Sequence, residues 1–300
     1  MKKWQYILGI LILVYLIGLV SSKLISVDNN KEEKVLIIPI KGVISNSDPG
    51  LFGQSNVNIA SILNELKKAK EDKSIKAVVL DINSPGGTVL ASKEIADAVK
   101  NLKKPSVALI GEVGASGAYW IASATNKIVA DELSITGSIG VIGSYLQFDE
   151  LMKTYGVTYE RLVGGDYKDL GTPYKELSEN ERKILQGKID IIHKAFINEV
   201  KKNRKIKESD IQKISTGEFF LGSEAKNLGL IDQFGNKEVA IEEAKRLANI
   251  TSPKITEFQQ KTSFLERLSK ISANSFYYLG KGIGSEISFN SKENFEFNAL

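Results

Sequence analysis

Ala77-Val78-Val79-Leu80-Asp81-Ile82, followed at once by Asn83-Ser84-Pro85-Gly86-Gly87, is the stretch on which the fold turns. Its first six residues are almost continuously apolar, the pattern of a strand buried on both faces. The next five interrupt the chain with a proline and two glycines. Helical spacing follows over residues 88–103. Strand, glycine turn and helix in that order make one βα unit, and the unit recurs in both directions. Upstream, Val35-Leu36-Ile37-Ile38-Pro39-Ile40 reads as a strand whose proline suggests an edge position. Residues 57–70 then carry Ile59, Ile62, Leu63 and Leu66 at helical spacing. Downstream, Ser106 to Ile110 is a strand, residues 116–125 a short helix of small residues, and Lys127 to Ala130 another strand. A long amphipathic helix is expected over 178–204, with Ile184, Leu185, Ile189, Ile192, Phe196 and Val200 among its apolar positions. A shorter helix over 237–248 ends before Thr251-Ser252-Pro253. Repeated βα units predict an α/β fold with a mostly parallel sheet and flanking helices.

Composition narrows the chemistry. The chain has 300 residues, 42% hydrophobic and 25% charged, which excludes disorder for the bulk of it. Cysteine is absent, so disulfides, thiolate metal sites and a cysteine nucleophile are excluded. The one histidine, His193, lies in the long amphipathic helix and reads as structural. A zinc site built from several histidines is therefore excluded, and a Ser/His/Asp triad would have only that residue to use. The net charge is +4, without a basic block of the kind that binds nucleic acid or anionic lipid. The glycines of 137–143 lack the Gly-Lys-Ser/Thr of a phosphate loop. No cofactor and no metal is expected.

Trp4 to Ser22 is nineteen residues without a charge. As a helix it is about 28 Å long, close to the ~30 Å hydrocarbon core of a bilayer. Lys2 and Lys3 precede it, which places the N-terminus in the cytoplasm and everything after Lys23 outside it. A cleaved signal peptide ending near Val20-Ser21-Ser22 is the competing reading, and it exports the chain equally. Asp28 to Lys34 is a polar linker, residues 263–279 have the pattern of an amphipathic helix, and Gly280 to Leu300 is rich in Gly, Ser and Asn.

Three loops carry candidate chemistry. Asn83-Ser84-Pro85-Gly86-Gly87 lets another backbone approach and leaves amide N–H groups available, though a plain turn reads the same way. Gly114-Ala115-Ser116-Gly117-Ala118 puts Ser116 at the start of a helix, as an N-cap or as a nucleophile beside unpaired amides. It is not the Gly-x-Ser-x-Gly elbow, because Ala118 stands where the second glycine belongs. The third, Gly164 to Pro173, contains Lys168 between Asp166 and Asp169. A lysine in such a glycine-rich loop is ordinarily just solvated; with histidine nearly absent it is also a candidate base should a serine nucleophile be present. Lysine ordinarily titrates near about 10.4, so such a base must be sheltered from water and its neighbouring carboxylates must point elsewhere.

Together these segments resemble the Ser/Lys signal peptide peptidases of the signal peptide peptidase A (protease IV) family, relatives of Clp protease and the crotonases. The resemblance runs from about Val35 to Ile250. It rests on Ile82 to Gly87, Ala115 to Trp120, Thr136-Gly137-Ser138-Ile139-Gly140-Val141, Tyr167-Lys168-Asp169 and the late segment Phe220 to Asp232. It implies a Clp protease/crotonase-like fold, Ser116 as nucleophile, Lys168 as general base and Ser138 as the hydroxyl that orients the lysine. The N–H groups of Gly87 and Gly117 are the implied oxyanion hole. It also implies a ring- or dome-shaped homo-oligomer around an apolar interior, in which Ser116 and Lys168 of one site can come from neighbouring subunits.

The expected organisation is a cytoplasmic end at 1–3, a transmembrane signal anchor at 4–22 and a linker at 23–34. A Ser/Lys peptidase domain at 35–250 and a variable tail at 251–300 complete it. The expected activity is a membrane-anchored serine endopeptidase cleaving residual signal peptides and other apolar peptides, with lipid contacted through the N-terminal helix. The rival readings are a peptidase of the same type specific for one membrane-protein partner, a non-catalytic scaffold of crotonase fold, and a crotonase-like acyl-CoA enzyme.

Overall fold

The computed structural model describes residues 32–45 and 56–259, with Tyr15 alone before them. The expected anchor at 4–22, most of the linker and the expected helix at 263–279 lie outside the described residues. Among the described residues no helix is long and apolar enough to cross a membrane.

The apolar runs become strands β1 (Lys34–Lys41), β2 (Ile75–Ser84), β3 (Ser106–Ala115) and β4 (Lys127–Ala130). All four are parallel, in the order β1-β2-β3-β4. The helices between them are α1 (Ile59–Glu71), α2 (Val89–Lys100) and α3 (Gly117–Ser123). Asn58 caps α1 by accepting a hydrogen bond from the Ser61 amide. Alternation along the strands divides the core in two. Leu36, Ile38, Ile40, Val78, Leu80, Ile82, Ala108 and Ile110 face the layer of α1, α2 and α3. Val35, Ile37, Ala77, Val79, Val107 and Leu109 face α8 (Lys237–Ala248), which approaches the sheet through Ala240 and Ala244. Both faces are covered, which is why these strands read as continuous apolar runs.

Past residue 131 the sheet branches. The short strand β5 (Ile135–Gly137) continues parallel to the end of β3, and β6 (Phe219–Leu221) pairs with it antiparallel. Two further strands, β7 (Gln233–Phe234) and β8 (Lys254–Glu257), pair in parallel with β4 and β1. Strand β1 is therefore inside the sheet rather than at its edge. The proline signal has a local cause: β8 covers only Lys34 to Ile37, and Pro39 lies on the uncovered half. Joining β8 to the sheet also carries the folded unit past Ile250 to Glu257.

The remaining helices are α4 (Asp149–Thr154), α5 (Glu179–Asn203), α6 (Ile211–Ile214) and α7 (Gly222–Asn227). A reciprocal capping box of Ser178 and Glu181 starts α5. Only its second half enters the core, through Phe196 and Val200. Phe196 stacks on Trp120 of α3 with ring centroids 4.4 Å apart. His193, on the same helix, contacts the Ile139 carbonyl at 3.0 Å, in keeping with a structural role.

Candidate active site

In a parallel sheet, loops at the C-terminal ends of the strands converge on one pole. Four of the five expected site residues meet there. Strands β3 and β5 end side by side, Ala115 opposite Gly137, and the next residue of each is a serine. Ser116 has φ 53° and ψ −124°, and Ser138 has φ 49°. Left-handed backbone at a residue other than glycine costs roughly 1–3 kcal/mol and persists only where the surroundings hold it. Here they do: the Ser116 amide donates to the Gly137 carbonyl at 2.8 Å, and the Ser138 amide donates to the Glu218 carbonyl at 2.9 Å.

Ser116 stands at the N-cap position of α3, yet its side chain caps nothing. Among the described residues its hydroxyl has no hydrogen-bond partner, so of the two sequence readings the N-cap role is not the one adopted. Its helix is locked from behind. The buried Tyr119 donates its hydroxyl to the Leu230 carbonyl at 2.9 Å, and burial pushes that phenol's pKa well above its ordinary value. With only seven residues α3 contributes little dipole; what it offers is the N–H of Gly117.

The Gly86-Gly87 turn reaches the same place. A Cβ on Gly86 would lie 2.7 Å from the Gly117 nitrogen and 3.0 Å from the Ser116 Cβ. A Cβ on Gly117 would lie 3.3 Å from the Gly87 nitrogen. The two amides are thus neighbours beside Ser116, and among the described residues neither donates to a protein acceptor. The turn is clamped by residues 42–45: Ile44 donates to the Gly86 carbonyl at 2.9 Å and accepts from the Thr88 amide at 2.7 Å. A Cβ on Gly87 would be 1.9 Å from the Ile44 carbonyl oxygen, so only glycine fits. Two supporting residues escaped the sequence reading. Ser92 is fully buried, donates to the Thr88 carbonyl at 2.9 Å and packs against Gly117, leaving no room for a side chain there. Its signal, a serine on the apolar face of α2 beside Ala91, Ile95 and Ala96, is faint. Asn83 accepts from the Val113 amide at 3.2 Å and ties the turn to β3.

Among the described residues Lys168 makes no contact of this kind. It lies exposed in an arm, residues 142–174, that leaves the sheet after β5. Within one chain its ammonium makes no hydrogen bond to Ser116 or Ser138, and the Ser138 hydroxyl donates to the Gly217 carbonyl at 3.2 Å. Asp169 is gripped by Arg161, Nε to Oδ2 at 2.7 Å, with Lys175 at 3.8 Å. The Arg161 hydrogen bond holds its pKa below the usual carboxylate value. No ion pair joins Lys168 to Asp166 or Asp169 among the described residues. The arm also exposes apolar side chains that a finished surface would cover: Ile142 is 91% exposed, Leu162 88% and Tyr155 77%. Among the described residues no group of histidine and carboxylate side chains is placed to hold a metal.

Comparison with known proteins gives this pole its setting. Residues 98–251 match peptidase family S49, and residues 43–131 match Clp protease. "Putative protease MJ0651" of Methanocaldococcus jannaschii is 34% identical over 300 residues, 96% of this chain and 94% of that protein. "Protease 4" of Haemophilus influenzae is 32% identical over 73% of this chain and 36% of its own length. "Serine protease SPPA, chloroplastic" of Arabidopsis thaliana is 31% identical over 73% of this chain and 33% of its own length. In fold, the 1510-N membrane-bound stomatin-specific protease, solved also with a substrate peptide, superposes with TM-scores of 0.52 and 0.51 at 14% identity. Those superpositions cover 77% and 81% of this chain and 99% of that one. The fold is Clp protease-like, and the chain belongs to peptidase family S49 as a serine protease similar to the signal peptide peptidases.

Proposed function

We propose that the protein is a membrane-anchored endopeptidase that uses Ser116 as nucleophile and Lys168 as general base on residual signal peptides and other apolar peptides. The observation that carries this reading is the Ser116 hydroxyl: strained backbone, no capping bond, and two available amides beside it. A neutral Lys168 amine takes the Ser116 proton as the oxygen attacks the peptide carbonyl. The carbonyl oxygen becomes an oxyanion and is held by the Gly87 and Gly117 N–H groups. The lysine ammonium returns its proton to the leaving amine, giving the acyl-enzyme and a free amine. Water, deprotonated by the same lysine, then releases the acid and restores the serine. Ser138, beside Ser116 at the end of β5, orients the lysine once it arrives.

Within one chain Lys168 is exposed and makes no hydrogen bond to Ser116, so in this reading the site is completed by a second copy whose arm brings its own Lys168 to this pole. The uncovered apolar surface of the arm supports this, because an apolar face that packs on a neighbour also excludes the water that would keep the lysine charged. Trp4 to Ser22 crosses the membrane and holds the peptidase outside the cytoplasm. The test is direct. Ser116→Ala and Lys168→Ala each abolish cleavage of a fluorogenic apolar peptide while the oligomer persists. Mixed, dissociated and reassembled, the two dead variants regain activity, since some sites then pair an intact serine with an intact lysine. Turnover by either variant alone removes that residue from the mechanism. No recovery on mixing removes the sharing between subunits.

A further inference from the structure

The pole opposite Ser116 is built from the N-terminal ends of the strands and the C-terminal ends of α1 and α2. The connections at that pole gather lysines that are scattered in sequence. Lys70 and Lys73 lie at and after the end of α1, Lys76 at the start of β2, Lys100 at the end of α2, and Lys103 and Lys104 between α2 and β3. The two connections are adjacent, because the Val78 amide of β2 donates to the Pro105 carbonyl at 3.0 Å. Nearby acids are mostly engaged: Glu33 pairs with Lys76 at 3.6 Å, Glu199 pairs with Lys100, and Asp72 accepts from the Ser74 amide at 2.8 Å. Glu71 is the exposed exception. Lys104 is turned inward onto the Ala69 and Asp72 carbonyls. Lys70, Lys73 and Lys103 are exposed and have no carboxylate partner among the described residues.

Helix C-termini favour lysine, which accounts for Lys70 and Lys100. It does not account for Lys103, which holds φ 56°, a conformation that suits glycine or asparagine after a helix. Beside it is a groove of about 380 Å³ lined by Lys100, Lys103, Lys104, Ser106, Asn126 and Leu247, in which Lys103 is the lysine not engaged among the described residues.

The direction of the chain says what this face meets. Strand β1 starts here, at Lys34, so the chain coming from the apolar segment 4–22 enters the domain at this pole. The eleven residues 23–33 reach about 36 Å when fully extended. The ten residues of β2 set the catalytic pole about 30 Å further away. We propose that this pole, through the exposed Lys70, Lys73 and Lys103, docks on anionic lipid headgroups of the membrane, seating the peptidase with its active sites facing away from the bilayer. This rests on the anchor in the proposed function and not on the Ser/Lys chemistry.

The full chain, reconstituted in phosphatidylcholine nanodiscs with or without a quarter of phosphatidylglycerol, tests it. The natural chain has no cysteine, so a single dye can be placed by Asn101→Cys at this pole or Glu132→Cys at the other, with an energy acceptor on the headgroups. Transfer from position 101 is expected to rise in the anionic discs and transfer from position 132 is not. Neutralising two lysines with Lys73→Gln/Lys103→Gln shifts the docked-to-undocked ratio about 25-fold, at about fivefold per lysine. Lys73→Arg/Lys103→Arg keeps the effect, which separates lost charge from lost folding. Equal transfer in the two discs, or no change in the Gln variant, overturns the proposal. So does abolition of the effect by millimolar inorganic phosphate with the salt strength held constant, which would make the groove a free-anion site. A chain that enters neither disc overturns the anchor instead, and peptide cleavage read in the same discs reports on Ser116 and Lys168 separately.

Discussion

Gly87→Ala puts the oxyanion hole to a quantitative test. The added Cβ would sit 1.9 Å from the Ile44 carbonyl oxygen, 2.6 Å from its carbon and 2.7 Å from its nitrogen. These are backbone atoms, so no side chain can swing aside. The two segments must separate by about 1 Å to reach tolerable contact, and the hydrogen bonds that clamp them, at 2.9 and 2.7 Å, cannot stretch that far. Losing two such bonds at about 1 kcal/mol each predicts a destabilisation of roughly 2 kcal/mol. The catalytic loss should be larger than the stability loss suggests. The same movement carries the Gly87 N–H away from the Gly117 N–H, and removing one oxyanion donor costs roughly 10²–10³ in kcat. Urea unfolding and cleavage of an apolar fluorogenic peptide, read on the same preparation below the unfolding transition, separate the two effects. A variant that folds less stably but turns over within a few-fold of wild type would refute the placement of the Gly87 amide in the reaction.

At Gly117 the obstruction is a side chain, so it should be repairable. Gly117→Ala meets the Ser92 Oγ at 2.2 Å and its Cβ at 3.0 Å; adding Ser92→Ala removes the nearer atom and should recover part of the lost kcat, whereas equal activity of the single and double variants contradicts the packing described. Glu181 provides a pH test. The Lys175 hydrogen bond lowers its pKa to about 2, below the ordinary 4.5, so its ionic contribution is complete above about 4.5 and disappears as the pH falls towards about 2. The difference in urea midpoint between wild type and Glu181→Gln should therefore shrink across that interval, and a difference independent of pH removes the charge from the account. Leu162 is 88% exposed, so Leu162→Asp should leave the stability of the lone chain within about 0.5 kcal/mol. It should nonetheless weaken assembly and cleavage together, as sedimentation and peptide assays would show; full activity in that variant argues against packing of the arm on a second copy.

The central sheet was legible because burial on both faces leaves a plain record. The expected strand 127–130 and helix 237–248 match β4 and α8 residue for residue, and the other long elements shift by a few residues at their ends. What stayed hidden was held by tertiary contact rather than local preference. Strand β5, three residues long, exists because β3 continues beside it, and β6 exists because β5 is there. Pro39 marked an open edge correctly over half a strand and misplaced the strand, since a sequence does not show that β8 will cover the other half. The glycines and serines of the site were readable as turn chemistry plus family resemblance. Their mutual approach was not, because it depends on Ile44, which carries no local signal, and on Ser92, whose signal is faint.

The two halves of the proposed site are held by different means. The Ser116 half sits on the ends of β3 and β5, and its strained backbone is fixed by hydrogen bonds to Gly137 and, through Ser138, to Glu218. A nucleophile must be held to within about 0.5 Å of its productive position relative to an oxyanion hole, and this backbone would supply that rigidity in the lone chain. The Lys168 half has no sheet beneath it. Its order comes from a chain of charges, Arg161 to Asp169 to Lys175 to Glu181, that links the arm to the first turn of α5. Such partly exposed pairs contribute little stability individually. They can still set the direction of the arm, and they occupy the carboxylate next to Lys168. In the proposed mechanism Lys168 stays exposed to water until another surface covers it. The lone chain would then carry a formed oxyanion hole and an incomplete base, and the step that switches on peptide cleavage would be the packing of one subunit's arm against the next.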